Sequence, residues 1–205
     1  MKGFFISFEG VEGSGKSTQA ALLEQALRGR GLPVLLTREP GGTAVGRRVR
    51  EVLLSPEHEA LTAWAELFLY LSDRAQHVQE IVVPALREGR VVISDRFSDS
   101  SLAYQGWGRG LEVAKIKTFN EAATGGLRPH LTFLLDLPPE VGLGRNQKGP
   151  DRLEQEDLEF HRRVRQGYLQ LQRAEPERIV LIDATLSPQE LHQRVLKVAL
   201  QRLEA

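Results

Sequence analysis

The segment GVEGSGKS at positions 10–17 constrains this chain more than any other stretch. It fits the pattern G-x-x-x-x-G-K-[ST], with Gly10, Gly15, Lys16 and Ser17 at the fixed positions. A short apolar run, Phe4 to Phe8, precedes it, and a helical pattern over 16–30 follows. Glycine tolerates positive φ, so backbone N–H groups can close around a phosphate. The helix starting near Lys16 turns the positive end of its dipole toward that anion. Lys16 is placed to bridge terminal phosphates, and the Ser17 hydroxyl is placed for Mg²⁺. The expected nucleotide-binding set is therefore Gly10, Val11, Glu12, Gly13, Ser14, Gly15, Lys16, Ser17 and Thr18. A dinucleotide fingerprint fits worse, because the glycines fall as G-x-x-G-x-G. A guanine reader N-K-x-D is also excluded, since Asn120 and Asn146 are the only asparagines and neither sits in one.

Further apolar, β-rich runs occur at Val34 to Thr37, Val91 to Ser94, Leu131 to Leu135 and Ile179 to Ile182. They are nearly continuous in apolar residues, as strands buried on both faces of a parallel sheet are. Helical patterns fill 43–54, 60–87, 112–124, 155–174 and 188–203. This alternation predicts an α/β fold: one domain, residues 1–205, with about five parallel strands between helices. The polar stretch RNQKGPDR, Arg145 to Arg152, reads as a mobile loop.

Composition narrows the function classes. There are 27 basic and 27 acidic side chains, so bulk electrostatic binding of nucleic acid is not expected. Cysteine is absent, which excludes disulfides, thiolate metal sites and cysteine nucleophiles. No signal peptide and no apolar run of about 20 residues is read, so no membrane association is expected. A cytoplasmic location is the corresponding expectation.

Strand ends carry the remaining candidates, because ligands of open α/β sheets bind at carboxyl ends. Asp95 and Arg96 follow the third strand, suited to Mg²⁺ and to a phosphate, or else to capping the next helix. TREPGGT, residues 37–43, combines a tight turn with Thr43 as a helix N-cap, and brings Arg38 and then Arg47, Arg48 and Arg50. In the 60–84 pattern, Tyr70 and Arg74 share one face, suited to stacking and gripping a base, whereas Phe68 is assigned to the core. Ser101, Tyr104 and Gln105 fall on one polar face of the next helix.

FEGVEGSGKST, TREPGGT, LSDRAQH, SDRFSDSSLAYQG and DRLEQE together resemble thymidylate kinases of the bacterial type, in order and over most of the chain. The resemblance implies a three-layer P-loop kinase fold, transfer of the γ-phosphoryl group of ATP to dTMP with Mg²⁺, and a homodimer in which the 60–84 helix lies at the interface. It implies that Lys16 contacts the transferring phosphoryl and that Glu12 meets the acceptor 3′-hydroxyl. Arg38, Arg50 and Arg96 would surround the acceptor phosphate. Tyr70 would stack on thymine, Arg74 would contact its O4 edge, and Ser101 and Gln105 would touch the base. Tyr104 would lie beneath the 2′ position. A lid would cover about 145–156; Lys148 or Arg152, with Arg145, would supply the catalytic cation that the phosphate loop lacks. Two rivals stay open on the residues alone: another nucleotide or deoxynucleoside kinase, and an ATPase switch with no acceptor.

Overall fold

A computed structural model describes residues 3–145 and 151–204. Five strands, β1 (Phe4–Glu9), β2 (Val34–Arg38), β3 (Val91–Asp95), β4 (Leu131–Asp136) and β5 (Ile179–Asp183), form one parallel sheet ordered β2-β3-β1-β4-β5. Each strand runs one residue beyond its apolar run and closes on a charged side chain. Those charges gather along the carboxyl edge, at the switch point flanking central β1.

Helices cover both faces, so the expected five-stranded parallel sheet with flanking helices is the observed architecture. Ile6 and Phe8 join the cluster holding Leu23 and Leu27 of α1 (Lys16–Arg28). Phe5 and Val92, of opposite parity, pack with Val78 and Val82. Both faces of the central strands are thus dry, which explains their unbroken apolar sequence.

The pattern over 60–87 is three consecutive pieces: α3 (Ala63–His77), a π-helical stretch Val78–Val82, and α4 (Val83–Arg87). Thr62 caps α3 by accepting from the Ala65 amide at 3.4 Å. Before it, α2 (Ala44–Leu54) starts at Thr43, whose hydroxyl accepts from the Gly46 amide at 2.9 Å. This is the N-cap expected from the sequence. Helix α5 (Ser98–Ser101) continues into a π-helical stretch, Leu102–Gly108, and α6 (Val113–Thr124), α7 (Pro139–Arg145), α8 (Leu158–Ala174) and α9 (Pro188–Glu204) complete the order.

Phe68 corrects the sequence reading. Its side chain is 50% exposed, and it stacks on Trp64 with ring centroids 5.9 Å apart and meets Phe119 edge-on at 5.7 Å. Leu67 and Leu71, one turn apart, take the core face of α3 instead. Apolar spacing locates a stripe on a helix, but α3 carries two stripes, and only packing decides which one is covered.

Candidate active site

The phosphate loop is shaped by backbone that only glycine adopts easily. Gly10 and Gly13 have φ of 142° and 68°. A Cβ on Gly13 would lie 2.1 Å from the Gly142 carbonyl oxygen of α7. Lys16 bends back over the loop, its Nζ donating to the Val11 carbonyl at 2.7 Å and to Ser14 Oγ at 3.3 Å. Burial, then the nearby Arg96 charge, pull the Lys16 ammonium down to about 8, against the opposing pull of Glu12 and Asp95. Ser17 Oγ donates to Asp95 Oδ2, so the two residues expected at a metal meet across the loop. Thr18 is exposed on the first turn of α1. Arg145, at the end of α7, donates from Nη1 to the Gly13 carbonyl at 3.1 Å and to the Ala184 carbonyl at 3.4 Å, which puts it beside the loop.

Arg96 is the hinge of the site. It has φ of 70°, a rare conformation for a residue with a Cβ, and its amide donates to the Phe8 carbonyl at 2.9 Å. This strained turn swings the guanidinium over the loop. Nη2 donates to Glu12 Oε1 at 2.7 Å and to the Tyr104 hydroxyl at 3.2 Å, and Nη1 donates to the Gly10 carbonyl at 3.1 Å. Tyr104 in turn donates to Glu12 Oε2 at 2.5 Å. Burial would raise the Glu12 carboxyl, but Arg96 and Lys16 outweigh it and hold Glu12 below the ordinary range.

These groups line one cleft of about 260 Å³ at the carboxyl edge of the sheet. The opposite wall carries Arg38, Arg50, Tyr70, Ser101 and Gln105. Arg50 Nη1 donates to the Pro40 carbonyl at 3.0 Å. Burial, then the like charge of Arg38, lower the Arg50 guanidinium below its usual range. Among the described residues, neither Arg38 nor Arg50 has a carboxylate within salt-bridge distance. Ser101 accepts from Arg74 and Gln105 donates to Glu66 Oε1 at 2.8 Å, so both enter the cleft already oriented.

Two expected site residues stand elsewhere. Arg74 does not line the cleft; its guanidinium, 1% exposed, makes four hydrogen bonds. The partners are Glu39 Oε2 (2.8 Å), Ser101 Oγ (2.9 Å), Asn120 Oδ1 (2.6 Å) and the Phe97 carbonyl (3.1 Å). In this structure it braces the wall that carries Ser101 from behind. Arg152, expected as a lid cation, is buried away from the cleft. Its Nε donates to the Leu53 carbonyl at 2.9 Å and its Nη2 lies 2.7 Å from Glu66 Oε2. The Glu66 carboxylate, fully buried among Gln105, Arg109 and Arg152, is the stronger attraction for it. Lys148, the alternative lid cation, falls outside the described residues.

The sequence reading missed several buried polar residues that build the site. Glu9 accepts from the Phe97 amide (2.7 Å), Ser100 Oγ (2.6 Å) and the Tyr168 hydroxyl (2.9 Å). Burial, then the charge of Asp99, push its carboxyl up to about 7. Its place between the apolar run and the phosphate loop was a usable signal. Glu66, Asn120 and Tyr168 gave none, because they reach the site from distant helices.

Comparison with known proteins gives the family. A model of the thymidylate kinase family matches residues 8–195. A thymidylate kinase from Synechococcus sp. (strain JA-2-3B'a(2-13)) is 57% identical over 97% of this chain and 95% of its own. That of Pelotomaculum thermopropionicum is 50% identical over 100% of this chain and 96% of its own. The crystal structure of the Ehrlichia chaffeensis thymidylate kinase superposes with a TM-score of 0.80 at 33% identity, covering 97% of this chain and 99% of that one. With a phosphate loop, a facing pair of arginines and this degree of likeness over the whole length, the chain belongs to the thymidylate kinase family.

Proposed function

We infer that this chain, a dTMP kinase by family, moves the γ-phosphoryl group of ATP onto the phosphate of dTMP, giving dTDP and ADP. One observation carries the assignment of the two sides. Arg38 and Arg50, which among the described residues have no carboxylate within salt-bridge distance, face a phosphate loop across a single cleft. Such a cleft is built for two anions that would otherwise repel each other.

An acceptor phosphate oxygen attacks the γ-phosphorus in line while the bond to the ADP oxygen breaks. The attacking oxygen is already anionic, so no general base is required. Charge on the transferring group is met by Lys16 and Arg96. Glu12 takes the acceptor 3′-hydroxyl, Tyr70 stacks on thymine, Ser101 and Gln105 touch the base, and Tyr104 lies under C2′. Ser17 and Asp95 supply hard oxygen donors at one point, a set that would hold Mg²⁺. When bound, the ion neutralises charge on the donor phosphates. A lid at about 145–156 belongs to the same proposal, with Arg145 on the nucleotide side; residues 146–150 of it fall outside the described residues.

A homodimer belongs to the same reading. Trp64 and Phe68 on α3 and Val45 and Val52 on α2 are exposed, and α2 packs on α3, so these residues offer a second copy an apolar face. A cytoplasmic location, where ATP and dTMP meet, is part of the proposal.

A coupled assay of ADP formation with dTMP, with thymidine, or with neither tests the reading. ADP formation that requires dTMP is expected. Equal ADP formation with thymidine would make the chain a nucleoside kinase, and formation with neither would make it an ATPase.

A further inference from the structure

His161 sits near the start of α8 with its side chain 1% exposed. Neither ring nitrogen has a hydrogen-bond partner among the described residues. A buried polar group left without a partner is costly, and such groups mark sites where a partner arrives in another state. One carboxylate lies within reach: Glu12 Oε2 is 3.9 Å from His161 Nδ1. The Phe160 ring stands edge-on to the imidazole, with centroids 5.4 Å apart, and fixes its plane.

In this structure both Glu12 oxygens are held by groups with other work in the cleft. Arg96 occupies Oε1 and Tyr104 occupies Oε2. Arg96 lines the cleft and reaches the phosphate loop at the Gly10 carbonyl, and an acceptor phosphate competes with Glu12 for it. A carboxylate that loses such a donor needs another one if it is to stay aimed. His161 approaches from behind, out of the cleft, where no substrate atom competes for it.

We propose that His161 is a positioning residue for Glu12, its Nδ1–H closing onto Oε2 when the acceptor draws Arg96 away. A movement of about 1 Å brings the pair into hydrogen-bond range. Held from behind, Glu12 keeps its free lone pairs toward the acceptor sugar hydroxyl. The inference rests on the reading of Glu12 as the partner of that hydroxyl, and extends it by naming the residue that sets its direction.

The test compares kcat/KM for dTMP and for 3′-deoxythymidine monophosphate, which lacks the hydroxyl, in the wild type, His161→Phe, His161→Asn and Glu12→Gln. A hydrogen bond to a charged group sets the scale, so His161→Phe lowers the preference for dTMP over the deoxy substrate by about 10-fold, with less than about twofold loss on the deoxy substrate. His161→Asn, whose amide nitrogen stands near the Nδ1 position, retains most of the preference. It also serves if the Phe variant folds poorly. Equal losses on both substrates in His161→Phe, or an unchanged preference while Glu12→Gln loses it, would overturn the role of His161 and leave Glu12 standing. An unchanged preference in Glu12→Gln would remove the reading of Glu12 itself, and this inference with it.

Discussion

Lys16 is buried and desolvated, and among the described residues it donates only to neutral oxygens of its own loop, so its charge is free for an arriving phosphate. Lys16→Ala therefore removes a preorganised contact to the transferring group and lowers kcat by about 10²–10³. The variant keeps its melting temperature within a few degrees, because the loop glycines, and not the lysine, set the local backbone. Retention of a third of the activity would contradict the role. Arg50 and Arg74 differ in kind although both were expected at the acceptor. Arg50 has one backbone partner and an open face, so Arg50→Ala raises KM for every nucleoside monophosphate tried and barely changes stability. Arg74→Ala leaves the buried Glu39 carboxylate with His77 but without its guanidinium partner and costs roughly 3–5 kcal/mol of stability. Its effect on dTMP comes through Ser101, which loses its donor. Thermal melts and acceptor KM for the two variants separate the cases; an unchanged melt for Arg74→Ala would contradict its bracing role.

At the scale of elements, the site is held by carboxylates that tie helices to strand ends. Glu66 of α3 receives Gln105, Arg109 and Arg152, and so joins α3 to the base-side wall and to the segment after residue 150. Glu66→Gln presents one acceptor oxygen where two arginines and an amide converge. It is expected to destabilise the protein by roughly 3–5 kcal/mol, the scale of a broken buried pair, and to raise KM for dTMP as Gln105 loses its anchor. Glu9 does the same work between β1 and α8. Its folded-state carboxyl titrates at about 7, above the ordinary value of 4.5. A raised carboxyl binds more protons folded than unfolded. Its contribution is therefore present below about 4.5 and is lost as pH rises through about 7. The melting temperature of the wild type carries this downward slope between those values, and Glu9→Gln removes that part of it. An identical slope in the variant would show that Glu9 is already ionised at neutral pH.

For the whole molecule, the Trp64–Phe68–Phe119 cluster separates folding from association. Phe68→Glu places a charge on the exposed stripe of α3 and leaves Leu67 and Leu71 in the core. Sedimentation is expected to give twice the 22.9 kDa chain mass for the wild type and the single-chain mass for the variant, with folding intact by circular dichroism. A single-chain mass for the wild type at micromolar concentration would end the homodimer reading. Tyr70, two residues on, faces the cleft, so the same helix turns one side to the cleft and another to the proposed partner.

Local chemistry alone determined the strands, most helices, the phosphate loop and the Thr43 cap. Each of these is written within one short window, as continuous apolar runs, helical spacing, obligatory glycines or a capping hydroxyl. The approach of Asp95 and Arg96 to the phosphate loop also followed from sequence, because a parallel sheet brings all strand ends to one edge, whereas Arg38 and Arg50 were set opposite Lys16 by the family resemblance. What the sequence could not decide was how buried charges share partners. Arg152 reads as a free lid cation until Glu66, 86 positions earlier, is seen to hold it. Arg74 reads as a base contact until Asn120 and Glu39 close around it. Phe68 reads as core until α6 is seen to reach its stripe only with Phe119, leaving the ring half exposed. These outcomes depend on which helix reaches which side chain in three dimensions, and in a dry interior the nearest unneutralised opposite charge prevails over any local pattern.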